Sequence, residues 1–179
     1  MQRSKKPMLI NDLRLIIDVI DKEKGKKIKK LRDRTLLLLG FAGGFRRSEL
    51  VSIDIEDLEF VNEGVKILVK RSKTDQSGAG MVKGIPYFNN ENYCPVKSLK
   101  KYISVCDLKK GKIFSISDKS VALLIKKFAT LAGFDPSKYA GHSLRSGFAT
   151  STAQAGAEER NIMAMTGHKT SQMVRRYIK

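Results

Sequence analysis

The sequence has few of the residues that build disulfide-rich or metal-binding proteins. It contains two cysteines, Cys94 and Cys106, and two histidines, His142 and His168, in 179 residues. Two cysteines do not make a disulfide framework, and no group of Cys, His, Asp and Glu has the spacing of metal ligands. We therefore predict reduced cysteines that belong to the core, and no metal ion.

Long hydrophobic runs are also missing. The strongest candidate, residues 36–39, consists of four leucines, whereas a bilayer requires roughly 20 apolar residues. The basic residues 1–7 are not followed by the apolar core and cleavage site of a signal peptide. Residues 78–80 (GAG) lack the lysine and helix of a phosphate-binding loop. These absences predict a cytoplasmic protein with no membrane contact and no cofactor.

Positive charge, in contrast, is abundant. Thirty-five Lys and Arg residues against 18 Asp and Glu give a net charge of +17. Such a surplus attracts polyanions, and the release of counterions from nucleic acid would supply salt-dependent affinity. A lysine-rich surface that serves only solubility is the alternative, as in residues 22–30, where six lysines occur. The charge favours nucleic acid as the partner but predicts no chemistry.

Hydrophobic periodicity predicts one compact α+β domain that is mainly helical. Residues 58–60 and 65–69 alternate around a turn at residues 62–64, and a third strand is predicted near residues 81–87, which makes a small antiparallel sheet. Apolar residues at helical spacing predict the other elements. The predicted helices are one that Asn11 caps, then 28–39, 46–50, one that starts at Pro95, 118–133, 143–155, 158–165 and 171 to the end.

Polar residues gather where these elements end. The segments are residues 44–50 (GFRRSEL), 71–74 (RSKT), 142–145 (HSLR), 166–168 (TGH) and 174–177 (VRRY). Side chains at such positions can converge on one ligand although they come from distant stretches of the chain.

Taken together and in this order, the five segments resemble the active-site set of tyrosine recombinases, the phage integrase family. One motif alone is weak, but five in order on a basic chain are specific, and the similarity extends from about residue 6 onward. The resemblance implies the tyrosine recombinase catalytic-domain fold. It also implies an enzyme that cleaves and rejoins DNA through a 3′-phosphotyrosyl intermediate without metal or ATP.

Two arginines match the phosphate-binding positions of this family. Displacement at a phosphodiester builds negative charge on the non-bridging oxygens, and the planar guanidinium donates paired hydrogen bonds to them. The resemblance assigns this role to Arg46 and Arg145, with Arg47 as the alternative to Arg46. Glu49 follows Arg46 by three residues and therefore shares its helix face. We expect Glu49 to orient the Arg46 guanidinium; an exposed pair of little energetic value is the alternative.

The remaining catalytic positions carry proton transfer and nucleophilic attack. His142, at a helix start, is expected to accept or steady the proton of the attacking hydroxyl, and His168 to donate a hydrogen bond to the phosphate. Tyr177, nine residues after His168, is the predicted nucleophile, and its phenol, with a pKa near 10, needs nearby cations. Lys73 is predicted to protonate the departing 5′ oxygen; Lys70 and Lys83 compete with it for this role.

Double-stranded DNA is the predicted partner, and family members act as homotetramers on it. The predicted DNA contacts are Arg47, Arg71, Lys169, Arg175 and Arg176. The resemblance implies that residues 1–179 form the catalytic domain, without the N-terminal core-binding domain and C-terminal tail usual in the family. We therefore expect weak DNA affinity and a monomer.

The rival functions are a type IB topoisomerase-like relaxing enzyme and a catalytically inactive DNA-binding remnant. A basic RNA-binding domain lacks support because the strands carry no aromatic-rich motif.

Overall fold

The computed structural model describes residues 5–70 and 78–167, together with Gln172 and Arg175. In these residues, a small sheet is inserted in the sequence between the third and fourth helix. The helices are α1 (Ile10–Lys22), α2 (Lys27–Ala42), α3 (Arg47–Ser52), α4 (Pro95–Val105), α5 (Asp118–Leu131), α6 (Ser143–Gln154) and α7 (Glu159–Thr166). The strands are β1 (Leu58–Val61), β2 (Gly64–Val69) and β3 (Met81–Pro86). The predicted α+β, mainly helical class is confirmed.

Helix α2 lies at the centre of the core and packs against α1, α3, α4 and α6. Its four leucines at 36–39 are at most 1% exposed, as expected for a helix surrounded by protein on all sides. The helix ends at Ala42, and Gly44 follows with a φ of +57°, a left-handed conformation that disfavours side chains. Residues 43–46, hereafter the α2–α3 turn, therefore redirect the chain sharply into α3.

The sheet has the strand order β1-β2-β3, and both pairings are antiparallel. Leu58 lies opposite Ile67 in the predicted hairpin, and Ile67 lies opposite Lys83 on β3. The side chains of Ile67, Lys83 and Ile85 are all buried, so they form one inner face that is turned toward the helices. A lysine thus occupies a position where the alternation of the strand predicts an apolar residue.

The beginning of α6 is fixed against the N-terminal segment. The Met8 N–H donates to the Ser143 carbonyl at 2.9 Å, and Gly147 lies so close that a Cβ there would be 1.9 Å from the Met8 carbonyl oxygen. This close approach requires glycine. It holds the start of α6, which carries His142 and Arg145, in a defined position against the core.

Element boundaries differ from the predictions at a few ends. Helix α1 begins at Ile10, with Leu9 as its N-cap, so the prediction that Asn11 caps it is wrong: Asn11 lies inside the first turn. No side chain caps this start, and the Leu13 N–H donates to the Leu9 carbonyl at 3.0 Å. Cys94 is buried and Cys106 half-buried, and both are free thiols. Among the described helices, none has the length and apolar character needed to cross a membrane.

Candidate active site

Arg46 and Glu49 form a close ion pair at the start of α3. The backbone N–H of Arg46 donates to Glu49 Oε2 at 2.8 Å, and Arg46 Nη1 donates to Glu49 Oε1 at 3.0 Å. The Glu49 side chain is only 2% exposed, so this is not the exposed surface pair that the sequence left open. A carboxylate at the third helical position satisfies a free backbone donor. Its other oxygen holds the guanidinium in place.

Arg145 reaches the same region from α6. Its side chain is 5% exposed, and Nη1 donates to the Gly44 carbonyl oxygen at 3.2 Å. Gly44 immediately precedes the Phe45–Arg46 pair in the α2–α3 turn. The structure therefore brings together the two predicted phosphate-binding arginines, which lie almost 100 residues apart in sequence. A buried guanidinium with fixed acceptors is oriented before any ligand arrives.

His142 is the residue that precedes the first turn of α6, as predicted. The residue remains exposed to solvent, yet neighbouring protein atoms remove part of the hydration of its ring. This desolvation, followed by the charges of Arg47, Arg145 and Arg46, lowers the pKa of His142 below its ordinary value of 6.5. A neutral imidazole can accept a proton at pH 7, which suits the predicted role.

Arg47 points to a different set of contacts from Arg46. Its side chain lies over Gly141, where an added Cβ would be 2.0 Å from Arg47 Cδ, and its Nη1 lies 3.5 Å from the carbonyl oxygen of Asp118. It has no contact with Glu49 comparable to that of Arg46. The geometry therefore favours Arg46 over Arg47 as the phosphate-binding residue, while Arg47 contributes positive charge beside His142.

The two lysines that compete with Lys73 lie in unlike environments. Lys70 is half-exposed and paired with Asp54 at 2.6 Å and Asp57 at 3.2 Å, and the hydrogen bond to Asp54 is the main cause that raises the pKa of Lys70. Its ammonium is thus held at a carboxylate pair. Lys83 is fully buried beneath the α2–α3 turn. The Lys70 ammonium is thus engaged by two carboxylates and the Lys83 ammonium by backbone carbonyls, whereas Lys73 lies outside the described residues.

Lys83 is the residue whose importance the sequence reasoning missed. Its Nζ donates to the Gly43 carbonyl at 2.8 Å and lies 3.9 Å from Glu49 Oε2. Burial lowers the pKa of Lys83 to about 7, Glu49 opposes the shift, and Arg145 and Arg46 add to it. The signal in the sequence was the alternation of β3, which places Lys83 on the same face as buried Ile85.

Several predicted site residues lie outside the described part of the chain. They are Arg71, Lys73, His168, Lys169, Arg176 and Tyr177. Arg175, a predicted DNA contact, is described: it is exposed, and its Nε donates to Glu159 Oε1 at 3.1 Å. The described site thus consists of a pair of oriented arginines, an imidazole of lowered pKa and a buried carboxylate. This set can bind a phosphate and accept a proton.

Comparison with known proteins gives the same family as the motifs. The model of the phage integrase family matches residues 8–179. An integrase/recombinase xerD homolog from Selenomonas ruminantium is 47% identical over 189 residues, which cover 99% of this chain and 54% of that protein. Tyrosine recombinase XerA from Pyrococcus horikoshii is 26% identical and is matched over 97% of this chain and 56% of its own length. The chain thus spans about half the length of these curated relatives.

The fold is also shared with solved structures. XerH site-specific recombinase, crystallised with palindromic difH substrate as a post-cleavage complex, aligns with a TM-score of 0.80 at 20% identity, over 100% of this chain and 51% of that one. At this identity the likeness concerns the architecture, and it confirms the predicted catalytic-domain fold. Since the family model covers nearly all of its residues, the protein belongs to the phage integrase family.

Proposed function

We propose that this chain catalyses site-specific cleavage and rejoining of DNA strands through a 3′-phosphotyrosyl intermediate formed on Tyr177. The observation that carries the proposal is the convergence of Arg46, Arg145 and His142 around the α2–α3 turn, in a member of the phage integrase family. Cations fixed in this way stabilise the charge that develops on phosphate oxygens during displacement.

The arginines act on the scissile phosphate. Arg46, held by Glu49, and Arg145, held by Gly44, donate to the non-bridging oxygens. The first turn of α6 adds backbone N–H groups and the positive end of the helix dipole. These groups supply the positive charge that a metal ion supplies in other phosphoryl-transfer enzymes. His168 donates a further hydrogen bond in this scheme, on the strength of its sequence motif.

The proton transfers balance across the displacement. The Tyr177 oxygen forms a bond to phosphorus, and His142 accepts the phenolic proton. The bond from phosphorus to the 5′ oxygen breaks, and Lys73 gives that oxygen a proton. Rejoining is the reverse reaction, in which a 5′ hydroxyl from another strand attacks the phosphotyrosine. Since the ester conserves the bond energy, no nucleotide is consumed.

Double-stranded DNA is the proposed partner, and a tetramer on DNA the proposed assembly of the full protein. The net charge of +17 supports long-range attraction to the phosphate backbone. Arg47, Arg71, Lys169, Arg175 and Arg176 are the proposed backbone contacts. Arg175 would exchange its exposed pairing with Glu159 for a phosphate.

Covalent trapping on DNA tests the function. The protein is incubated with duplexes that carry a randomised core, adducts are isolated under denaturing conditions, and the attached DNA is sequenced. The enriched site is then rebuilt with a nick beside the scissile phosphate, so that the released oligonucleotide diffuses away and rejoining stops. We expect adducts with the wild-type chain and with Tyr87→Phe, a matched tyrosine control on the sheet side, and none with Tyr177→Phe.

The same assay separates the rival functions. Adducts spread over unrelated sequences, with relaxation of supercoiled plasmid, would support a topoisomerase-like relaxing enzyme in place of a site-specific one. DNA binding without any adduct would support an inactive DNA-binding protein and would refute the proposal.

A further inference from the structure

Lys83 carries a buried positive charge at the underside of the candidate active site. Its side chain is fully buried, and Nζ donates to the carbonyl oxygens of Gly43 at 2.8 Å and Gly44 at 3.3 Å. The ammonium also lies 4.6 Å from the centroid of the Phe45 ring, a distance at which the ring face attracts a cation. Three successive residues of the α2–α3 turn therefore contact one lysine.

The groups that hold Lys83 are the same groups that hold the arginines. The Gly44 carbonyl accepts from Lys83 Nζ and also from Arg145 Nη1 at 3.2 Å. The Glu49 carboxylate, which accepts two hydrogen bonds from Arg46, lies 3.9 Å from Lys83 Nζ. One buried side chain is thus connected to both guanidinium groups, through a different acceptor in each case.

Stability alone does not account for a lysine at this position. The inner face of β2 and β3 is otherwise apolar, and Lys83 lies opposite Ile67. Replacing buried charged groups with apolar side chains of similar volume is often neutral or stabilising, because burial of charge is costly. A methionine or leucine at this position would lack the hydrogen-bond donor to the α2–α3 turn and the positive charge beside Glu49.

We propose that Lys83 is a positioning residue for DNA cleavage: its ammonium fixes the α2–α3 turn through Gly43 and Gly44 and balances Glu49, and so holds Arg46 and Arg145 in the geometry that binds the scissile phosphate. The proposal rests on the proposed function, which supplies the phosphate. Lys83 acts through other residues and does not touch the DNA.

The charge of Lys83 depends on pH in the neutral range, because the pKa is about 7. The charged groups that face it are Glu49 and Arg46 from the start of α3 and Arg145 from α6. A phosphate bound between the arginines adds negative charge, which raises the pKa of Lys83. The positioning effect is therefore full below the pKa and weakens as the pH rises through it.

Lys83→Met is the direct test, with Lys66→Met as a matched control from the exposed outer face of the same sheet. Single-turnover cleavage of the trapped site is measured with saturating protein, and DNA affinity is measured separately. We expect a fall of about 100-fold in the cleavage rate at pH 6, the size of effect that a small misplacement of catalytic groups produces. DNA affinity stays near that of the wild type, and Lys66→Met cleaves at the wild-type rate. A Lys83→Met variant that folds and cleaves normally would overturn the proposal.

The pH profile distinguishes positioning by charge from simple packing. The ratio of wild-type to Lys83→Met cleavage rates is expected to be largest at low pH and to shrink as Lys83 loses its proton. Lys83→Arg, which keeps the charge, is expected to recover part of the lost rate and to hold it at high pH. A ratio that is constant with pH, without recovery in Lys83→Arg, would mean that the side chain only fills space.

Nuclear magnetic resonance of the wild-type chain gives a test that needs neither cleavage nor a stable variant. We expect the side-chain Nε–H signals of Arg46 and Arg145 to shift with pH at the midpoint of Lys83 itself, and not only at that of His142. If the chemical shifts of these arginine signals do not change at the Lys83 midpoint, the proposal is overturned even when cleavage is observed. If no DNA adduct forms, the proposed function fails, and this titration alone decides whether Lys83 positions the arginines.

Discussion

Arg145 and Lys83 donate hydrogen bonds to the same backbone oxygen, that of Gly44, at 3.2 and 3.3 Å. Arg145 comes from α6 and Lys83 from β3, so one carbonyl connects a helix, a strand and the turn that carries Arg46. The guanidinium groups are therefore oriented by buried contacts within the protein. Preorganisation of this kind spares the reaction the cost of reorienting charges when the transition state forms.

Arg46→Lys tests whether a positive charge alone is sufficient for cleavage at this phosphate-binding position. Lysine keeps the positive charge but lacks the planar fork, so it cannot contact Glu49 and a phosphate oxygen in the same geometry. We expect a fall of roughly 100- to 1,000-fold in single-turnover cleavage. Arg32→Lys is the control, because Arg32 also pairs with a carboxylate, that of Asp33, on α2. Equal losses in the two variants would argue against a specific role for Arg46.

The titration of His142 tests the electrostatics around the α6 start. With only two histidines in the chain, the imidazole signals are readily separated. Desolvation by neighbouring protein atoms and the charges of Arg47, Arg145 and Arg46 place the pKa of His142 below 6.5. Arg47→Gln removes one of these charges and is expected to raise that pKa, whereas Lys119→Gln, an exposed lysine on α5, leaves it unchanged. A midpoint above 6.5 in the wild type would contradict the described geometry.

The same pKa predicts how cleavage responds to acid. If neutral His142 accepts the tyrosine proton, the cleavage rate falls as the pH drops through the pKa of His142. His142→Gln is expected to be slower at neutral pH and to lose this acid limb. If the cleavage rate of His142→Gln still falls at low pH as in the wild type, another group is responsible for that fall.

A sulfur substitution in the DNA tests Lys73 against the other two lysines. A bridging sulfur at the 5′ position leaves as a thiolate, whose conjugate acid has a pKa of about 8.5, so no proton donor is needed. Lys73→Ala is expected to lose cleavage of ordinary DNA and to recover it on the sulfur substrate. Lys70→Ala should cleave both substrates normally, since its ammonium is held by Asp54 and Asp57. Lys83→Met should remain slow on both. Recovery of Lys83→Met by sulfur would instead identify Lys83 as the proton donor.

The free energy of unfolding should also depend on pH because Lys83 is buried. The pKa is about 7 in the folded state and 10.5 for an ordinary lysine. The unfolded state therefore binds more protons between these pH values, and stability rises with pH across that window. Relative to Lys83→Met, the wild-type free energy of unfolding is expected to increase by up to about 1.4 kcal/mol per pH unit there. Chemical denaturation at pH 7 and pH 10 measures it, and a difference that does not change with pH would contradict the lowered pKa.

The sequence predicted those features that depend on spacing. Alternation over residues 58–69 predicted the hairpin, and the spacing of three residues placed Glu49 on the face of Arg46, where the ion pair is found. His142 was expected at a helix start and lies there. Such features are local, because the period of a helix or strand determines which side chains share a face.

Features that depend on tertiary packing escaped prediction. The sequence predicted a strand near residues 81–87, but only the fold shows that Lys83 is buried there and that its ammonium meets the Gly43 and Gly44 carbonyls. Likewise, the capping preference of Asn11 did not set the start of α1, which begins at Ile10. Partners that come from distant parts of the chain cannot be read from periodicity.

Mass spectrometry of the trapped adduct identifies the residue that attacks the DNA. After nuclease and protease digestion, we expect a residual 3′-phosphonucleotide on the phenolic oxygen of Tyr177, and none in Tyr177→Phe. A nucleotide found on any other residue, or an adduct that persists in Tyr177→Phe, would contradict it.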